Sequence, residues 1–179
     1  MASCEQMPGL SVLAHGESVW AYYQDLIRQL RDGAKPRYKW RFPDWIRDSA
    51  LIQSQLSEDI VREYLVHHDC GKPYCRTVDE DGRQHFPDHA RVSEELWRSV
   101  GGSETAARLM GMDMDIHLLK GDDTVAFGAR PEAATLLLAG LAEVHSNAEM
   151  FGGIDSTGFK MKFKHLQRRG KRIVSLLSE

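Results

Sequence analysis

The sequence predicts an all-α fold, a helical bundle of about six or seven helices. Three observations predict it. Apolar residues recur at helical spacing in one segment after another. Glycine, proline and capping residues close those segments. No stretch alternates between apolar and polar side chains as a half-buried strand would.

Residues 1–9 read as a short loose leader. The first helix is expected over Leu10–Arg31, where Val19, Tyr22, Tyr23, Leu26, Ile27 and Leu30 form a broad apolar stripe and Gly33 ends it. His15 lies one turn before Val19 on that stripe. Next comes Lys35-Pro-Arg-Tyr-Lys-Trp-Arg-Phe-Pro-Asp-Trp45, with four basic residues among four aromatics. Such a loop suits base stacking and phosphate contact. It equally suits a loop whose rings plug the core while its charges stay wet.

A short helix is expected around Asp44–Gln53. Ser57 is a good N-cap for the next one, with Glu58 and Asp59 in its first turn. That helix ends in Tyr64-Leu-Val-His-His-Asp-Cys-Gly-Lys-Pro73, where Gly71 and Pro73 stop it. Residues 74–86 are polar, with Asp81-Gly82 as a turn signal. A helix follows from Pro87 to about Val100, with His89 in its first turn. After Gly101-Gly102, Ser103 caps a segment that carries Asp113 and His117 four residues apart, on one helix face. Asp115 lies about 200° round from Asp113, so the two are not expected at one site. A loop bounded by Gly121 and Pro131 precedes an apolar helix, roughly Glu132–Met150, in which His145 continues the Leu138–Leu141 stripe. The last helix, Phe159–Leu177, sets Phe159, Phe163, Leu166, Ile173 and Leu177 against a basic stripe of Lys160, Lys164, Arg168 and Lys171. That stripe suits either a phosphate backbone or plain solvation.

The chain has 179 residues, enough for one domain with a sizeable core. At 42% hydrophobic residues it is globular. The net charge of −3 does not mark the whole chain as a nucleic-acid binder. Its three cysteines, Cys4, Cys70 and Cys75, form no C-x-x-C pair, which points to a reducing compartment rather than a disulfide framework. No signal peptide or membrane-length apolar run is visible, so a cytoplasmic protein is expected, with no membrane partner.

The chemistry concentrates at His68 and Asp69. Val61, Leu65 and His68 share one stripe, so His68 should point inward, with Asp69 beside it and Lys72 one turn on. An imidazole and a carboxylate on a buried helix end suit a divalent metal, or else form a structural His–Asp pair. His15, His89, His117 and His145 lie on other apolar faces or helix ends, and Asp113 adds a carboxylate. Imidazole with carboxylate, and no thiolate pair, suits Mn, Ni, Co, Zn or Fe. Such an ion polarises phosphoryl oxygens and acidifies water, and Lys72 could stabilise phosphate charge. No Walker A, G-x-G-x-x-G or G-x-S-x-G motif occurs, so P-loop, Rossmann and serine-hydrolase chemistry has no support.

His68-Asp69-Cys-Gly-Lys-Pro73 resembles the signature of the HD superfamily of metal-dependent phosphohydrolases. Leu13-Ala-His15-Gly-Glu-Ser-Val19 resembles that family's first-histidine helix. Asp79-Glu-Asp-Gly-Arg-Gln-His-Phe-Pro-Asp-His89 resembles the stretch leading to its fourth ligand, above all in HD domains of CCA-adding enzymes and of bacterial polynucleotide kinase–phosphatases. The likeness spans about residues 10–150, and the basic helix lies beyond it. The resemblance implies a single HD-type helical bundle that binds one or two divalent ions. His15, His68 and Asp69 would be ligands, Lys72 would contact the scissile phosphate, and His89 and His117 would hold a second ion or the phosphate. Two positions depart from the family's pattern. Asp113 stands where many members have a histidine, and His145, with Asn147 as a weaker alternative, stands where a late aspartate is usual. Arg76, Lys160 and Lys164 join Lys72 as candidates to bind substrate.

The function implied is removal of phosphate from a nucleotide or from an RNA or DNA end, with a 2′- or 3′-phosphate or a 2′,3′-cyclic phosphate as the substrate class. The alternatives are a nucleotidase or dNTP triphosphohydrolase, a di-iron oxygenase of the same superfamily, and a catalytically silent nucleotide-binding module.

Overall fold

The structure, a computed structural model, describes residues 1–177. It is all-α apart from two very short hairpins. Six helices have eight or more residues: α1 (Val12–Asp32), α3 (Glu58–His67), α5 (His89–Ser99), α6 (Glu104–Gly111), α9 (Ala133–Ser146) and α10 (Thr157–Leu177). Between them lie the short helices α2 (Ser49–Gln53), α4 (Lys72–Cys75), α7 (Asp115–Leu118) and α8 (Asp123–Gly128). Single 3-10 turns occupy Asp44–Arg47 and Ala148–Phe151. None of these helices is long and apolar enough to cross a membrane. Cys4, Cys70 and Cys75 are free thiols.

The chain forms two compact units. The first comprises Met1–Ser18 and Ser57–Met114; the second comprises Val19–Leu56 and the described chain from Asp115.

In the first unit α5 packs on α6, α6 on α3, and α4 on α5. Val12, Val61, Tyr64, Leu65, Leu109 and Met110 are buried there. Within the expected loose leader, β1 (Glu5–Met7) pairs with β2 (Leu10–Ser11), the residues expected to start the first helix, in a hairpin turning at Gly9 with φ +80°. The polar stretch 74–86 holds a second hairpin, β3 (Thr77–Val78) with β4 (Gln84–His85). Asp79 organises its turn: Oδ1 accepts from the N–H groups of Asp81 and Arg83, and Oδ2 meets His85 at 2.7 Å. Strands of two or three residues carry no alternation to read, which is why the sequence pattern shows neither hairpin. The break at Gly101-Gly102 has two physical reasons. Gly101 takes φ +81°, and a Cβ on Gly102 would run into the Trp97 indole. Glu63 then ties the two sides together, its Oε1 accepting from Trp97 Nε1 at 2.6 Å and from the Ser103 N–H at 2.7 Å.

The segment expected as one helix through Asp113 and His117 is two. α6 ends at Gly111, where a side chain would strike Glu94, and α7 starts only at Asp115. Asp113 and His117 therefore do not share a helix face, and their spacing of four carries no meaning. α5 also begins two residues later than Pro87 suggests, because Asp88 takes the left-handed conformation with φ +55°.

In the second unit α9 is the core helix: twelve of its fourteen residues are buried. A helix apolar all round belongs inside a fold, and each fully buried leucine contributes about 2 kcal/mol. Gly140 lets Ile116 of α7 approach the α9 backbone. α10 lies on α8 and α9 through Phe159, Leu166, Ile173 and Val174. Gly170 completes that stripe because a Cβ there would collide with the Trp45 ring, whose Nε1 donates to the Gln167 carbonyl at 3.0 Å.

Gly170→Ala should therefore destabilise the chain by about 1–3 kcal/mol through overpacking, despite alanine's better helix propensity. Urea denaturation measures it. An unchanged or raised midpoint would contradict the contact.

Candidate metal centre

The centre belongs to the first unit and is built around Asp69. α3 ends at His67, and the turn His68–Gly71 follows, closed by Cys70 N–H to His67 O at 2.8 Å and Lys72 N–H to Asp69 O at 3.0 Å. Pro73 then sits in the first turn of α4, where a missing N–H costs nothing. Gly71 holds the turn against α5: its N–H donates to Ser93 Oγ at 2.9 Å, and a Cβ would clash with the Ser93 backbone. Gly16 plays the same part for His15. It lets the start of α1 close on the Val66 carbonyl, so that His15, one residue before it, reaches the turn.

The result is a buried carboxylate ringed by cationic and imidazole groups. Asp69 Oδ2 lies 2.6 Å from Lys72 Nζ, 3.3 Å from His68 Nε2 and 3.6 Å from His15 Nε2. His89 Nε2 stands 3.6 Å from the other oxygen, Oδ1. Ligand atoms of His15, His68 and Asp69 all fall within 4.8 Å of one another. This is the one such convergence of His, Cys, Asp or Glu side chains among the described residues. Two of the histidines are fixed in orientation from behind. His68 Nδ1 lies 2.8 Å from the Leu65 carbonyl and His89 Nδ1 lies 3.0 Å from the Phe86 carbonyl. With Nδ1 spent on a carbonyl, Nε2 is the nitrogen turned toward Asp69, and it can ligate a metal ion that takes the place of its proton.

Burial alone would push the Asp69 carboxyl pKa up. The charge and hydrogen bond of His68, with Lys72 and His15 beside it, outweigh burial and hold it far below the usual carboxylate range. It is therefore an anion at neutral pH. Its Oδ1 is buried yet has no hydrogen-bond partner among the described residues, an arrangement that is costly without a cation nearby. Imidazole nitrogens and one carboxylate form a donor set for a first-row divalent ion, so the residues present fit such an ion.

The other expected residues do different work. Asp113 is buried in the first unit, but its Oδ1 accepts the Tyr64 hydroxyl at 2.5 Å. His117, in the second unit, sits 2.9 Å from Glu143 Oε2, and Asn147 donates to the same carboxylate at 3.4 Å. His145 has both nitrogens engaged within that unit. Nε2 accepts the Arg41 backbone N–H at 3.0 Å, and Nδ1 lies 2.8 Å from the Leu141 carbonyl. Trp40 and Phe159 pack against its ring. It is a core histidine with no lone pair to spare, which corrects its reading as a ligand. Arg76 is exposed and holds Gln84 at 2.6 Å, bridging β3 and β4. Lys160 and Lys164 are exposed on α10.

Three contributors escaped the sequence reading. Gln6 of β1 accepts from Lys72 Nζ at 2.8 Å, and the Phe86 ring lies 5.4 Å from the same ammonium. Ser93 braces Gly71. Gln6 is 66 residues from Lys72 in the chain, and no spacing rule reaches that far.

Comparisons with known protein families, with characterised proteins and with solved structures give no match.

Burial lowers the His145 pKa to about 4, helped by the Arg41 charge, while the hydrogen bond of Nδ1 to the Leu141 carbonyl opposes the shift. In the unfolded chain a histidine protonates near pH 6.5, so between about 6.5 and 4 the unfolded state binds more protons. The stability contributed is complete above about pH 6.5 and is lost as pH falls toward 4, by roughly 3 kcal/mol at most. Denaturation across this range should show that slope, and His145→Gln should flatten it. An identical slope in both proteins would contradict the assignment.

Proposed function

We propose that the chain is a metal-dependent phosphohydrolase that removes phosphate from a nucleotide or a nucleic-acid end. The observation that carries the reading is the buried Asp69 carboxylate with three imidazole Nε2 atoms within 3.6 Å and Lys72 at 2.6 Å. The likeness of His68-Asp69-Cys-Gly-Lys-Pro73 to the HD phosphohydrolase signature supports it independently.

His15, His68 and Asp69 would hold the ion, and His89 would hold a second ion or the phosphate. A bound divalent ion supplies Lewis acidity toward a phosphoryl oxygen and lowers the pKa of water. Asp69 supplies the negative charge that draws the ion to these buried side chains. The Leu65 and Phe86 carbonyls orient His68 and His89, so little reorganisation is needed on binding. Lys72, held by Asp69 and Gln6, supplies the positive charge that a phosphate oxyanion needs as negative charge builds on it. Hydrolysis then adds water oxygen to phosphorus and releases the ester oxygen as an alcohol.

The test is a screen of metal against substrate, read by phosphate release. Mn, Ni, Co, Zn and Fe would each be offered with mononucleotides and with 2′- or 3′-phosphorylated and 2′,3′-cyclic oligonucleotides. Turnover should need metal and favour the phosphorylated oligonucleotide. Asp69→Ala should abolish it while leaving the far-ultraviolet circular dichroism helical. Lys72→Ala should reduce turnover by more than it reduces metal content, by about 10²–10³-fold, the scale of one lost oxyanion partner. A chain that takes up no metal and releases no phosphate would overturn the proposal, as would full activity in Asp69→Ala.

A further inference from the structure

The second unit contains a feature that the metal centre does not use. The loop 35–43 carries Lys35, Arg37, Lys39 and Arg41 and no acid. Its backbone is fixed by one buried carboxylate. Asp25 accepts from the N–H groups of Arg37 and Tyr38, at 3.0 and 3.2 Å, and from Trp40 Nε1 at 3.0 Å. Its rings are fixed as well. Tyr38 stacks on Tyr22 with centroids 4.0 Å apart and planes 12° from parallel, and Phe42 stacks with Trp40 at 5.7 Å and 10°. Trp40 is the ring that goes inward, onto His145. Tyr38 and Phe42 do not follow it, and each stays 38% exposed.

α10 comes to the same region. His145 joins Trp40 to Phe159 and Phe163 of α10, and Arg41 pairs at 2.6 Å with Asp155, just before that helix. Lys160 and Lys164 follow those two phenylalanines directly in the chain and are exposed. Residues 160–172 hold seven basic side chains and no acid. Neither Lys35, Arg37 and Lys39 nor Lys160 and Lys164 have an acidic partner among the described residues.

We propose that the 35–43 loop and the basic stripe of α10 form a binding surface for single-stranded nucleic acid. Tyr38 and Phe42 receive unpaired bases, and the lysines and arginines follow the phosphates. Rings already clamped flat against a neighbour lose little freedom when a base stacks on them. A bare polyanion site needs the charges but not the rings. A duplex presents no free base face to an exposed ring, whereas an unpaired strand does. Stacking with charge at this density is the pairing that single strands select.

The experiment uses the full chain and fluorescein-labelled oligouridylate and oligothymidylate of about twelve nucleotides, within the span such surfaces cover. Binding is read by anisotropy in EDTA, so failure of the phosphohydrolase reading would leave the expected result unchanged. Both oligonucleotides should bind, because stacking and phosphate contact do not depend on the sugar. Tyr38→Ala with Phe42→Ala should weaken binding about tenfold per ring. Tyr38→Phe with Phe42→Tyr should bind like the parent, which separates stacking from damage to the fold. Lys160→Glu with Lys164→Glu should weaken binding and flatten its salt dependence. The inference is overturned if the parent does not bind, if the alanine pair binds as well as the parent, or if the conservative pair loses as much as the alanine pair. Equal competition by polyglutamate would also overturn it.

Discussion

The Asp69 carboxylate is buried and ionised, and the first unit is arranged so that it can be. A carboxylate taken from water without partners loses several kcal/mol of hydration. Here the compensation comes from four side chains: His15 from α1, His68 from the turn that holds Asp69, Lys72 from the start of α4 and His89 from α5. Two glycines make the approach possible, Gly16 against the Val66 carbonyl and Gly71 against Ser93. The buried charge and the tight backbone contacts are therefore one device. Without the close approach the imidazoles would not converge, and without convergence the charge would not be tolerated.

Much of this device can be read from the residues alone. Helical spacing through Val61 and Leu65 turns His68 inward, and the same logic buries His15 and sets His89 at a helix start. These are short-range rules, and each acts within one element. The reading fails where a contact crosses elements distant in the chain. Asp113 looks like a ligand by type and burial, yet it lies outside the group formed by His15, His68 and Asp69, and its Oδ1 accepts the Tyr64 hydroxyl. The helix through Asp113 and His117 is two, α6 ending at Gly111 and α7 starting at Asp115, a break that the apolar spacing does not show. Gln6 lies in a segment read as a loose leader and meets Lys72.

His145 shows the opposite error. A histidine on an apolar stripe invites a chemical role, and in the second unit it serves instead as a buried polar joint. One nitrogen accepts from the loop backbone at Arg41 and the other meets its own helix at Leu141. The aromatic–basic loop had two readings in the sequence, core plug or binding surface, and the structure sends one of its rings inward and leaves two exposed. Trp40 goes in toward His145, while Tyr38 and Phe42 stay at the surface, with Asp25 holding the backbone between them.

The central claim is that His15, His68 and Asp69 are a divalent-ion site, and Co(II) titration of the metal-free chain followed by visible absorption tests it most directly. The account predicts saturable binding with ligand-field bands from mixed nitrogen and oxygen donors. Those bands should be lost in His15→Ala and in Asp69→Ala and kept in His145→Gln. Absence of saturable bands in the parent, or their persistence in Asp69→Ala, would contradict it.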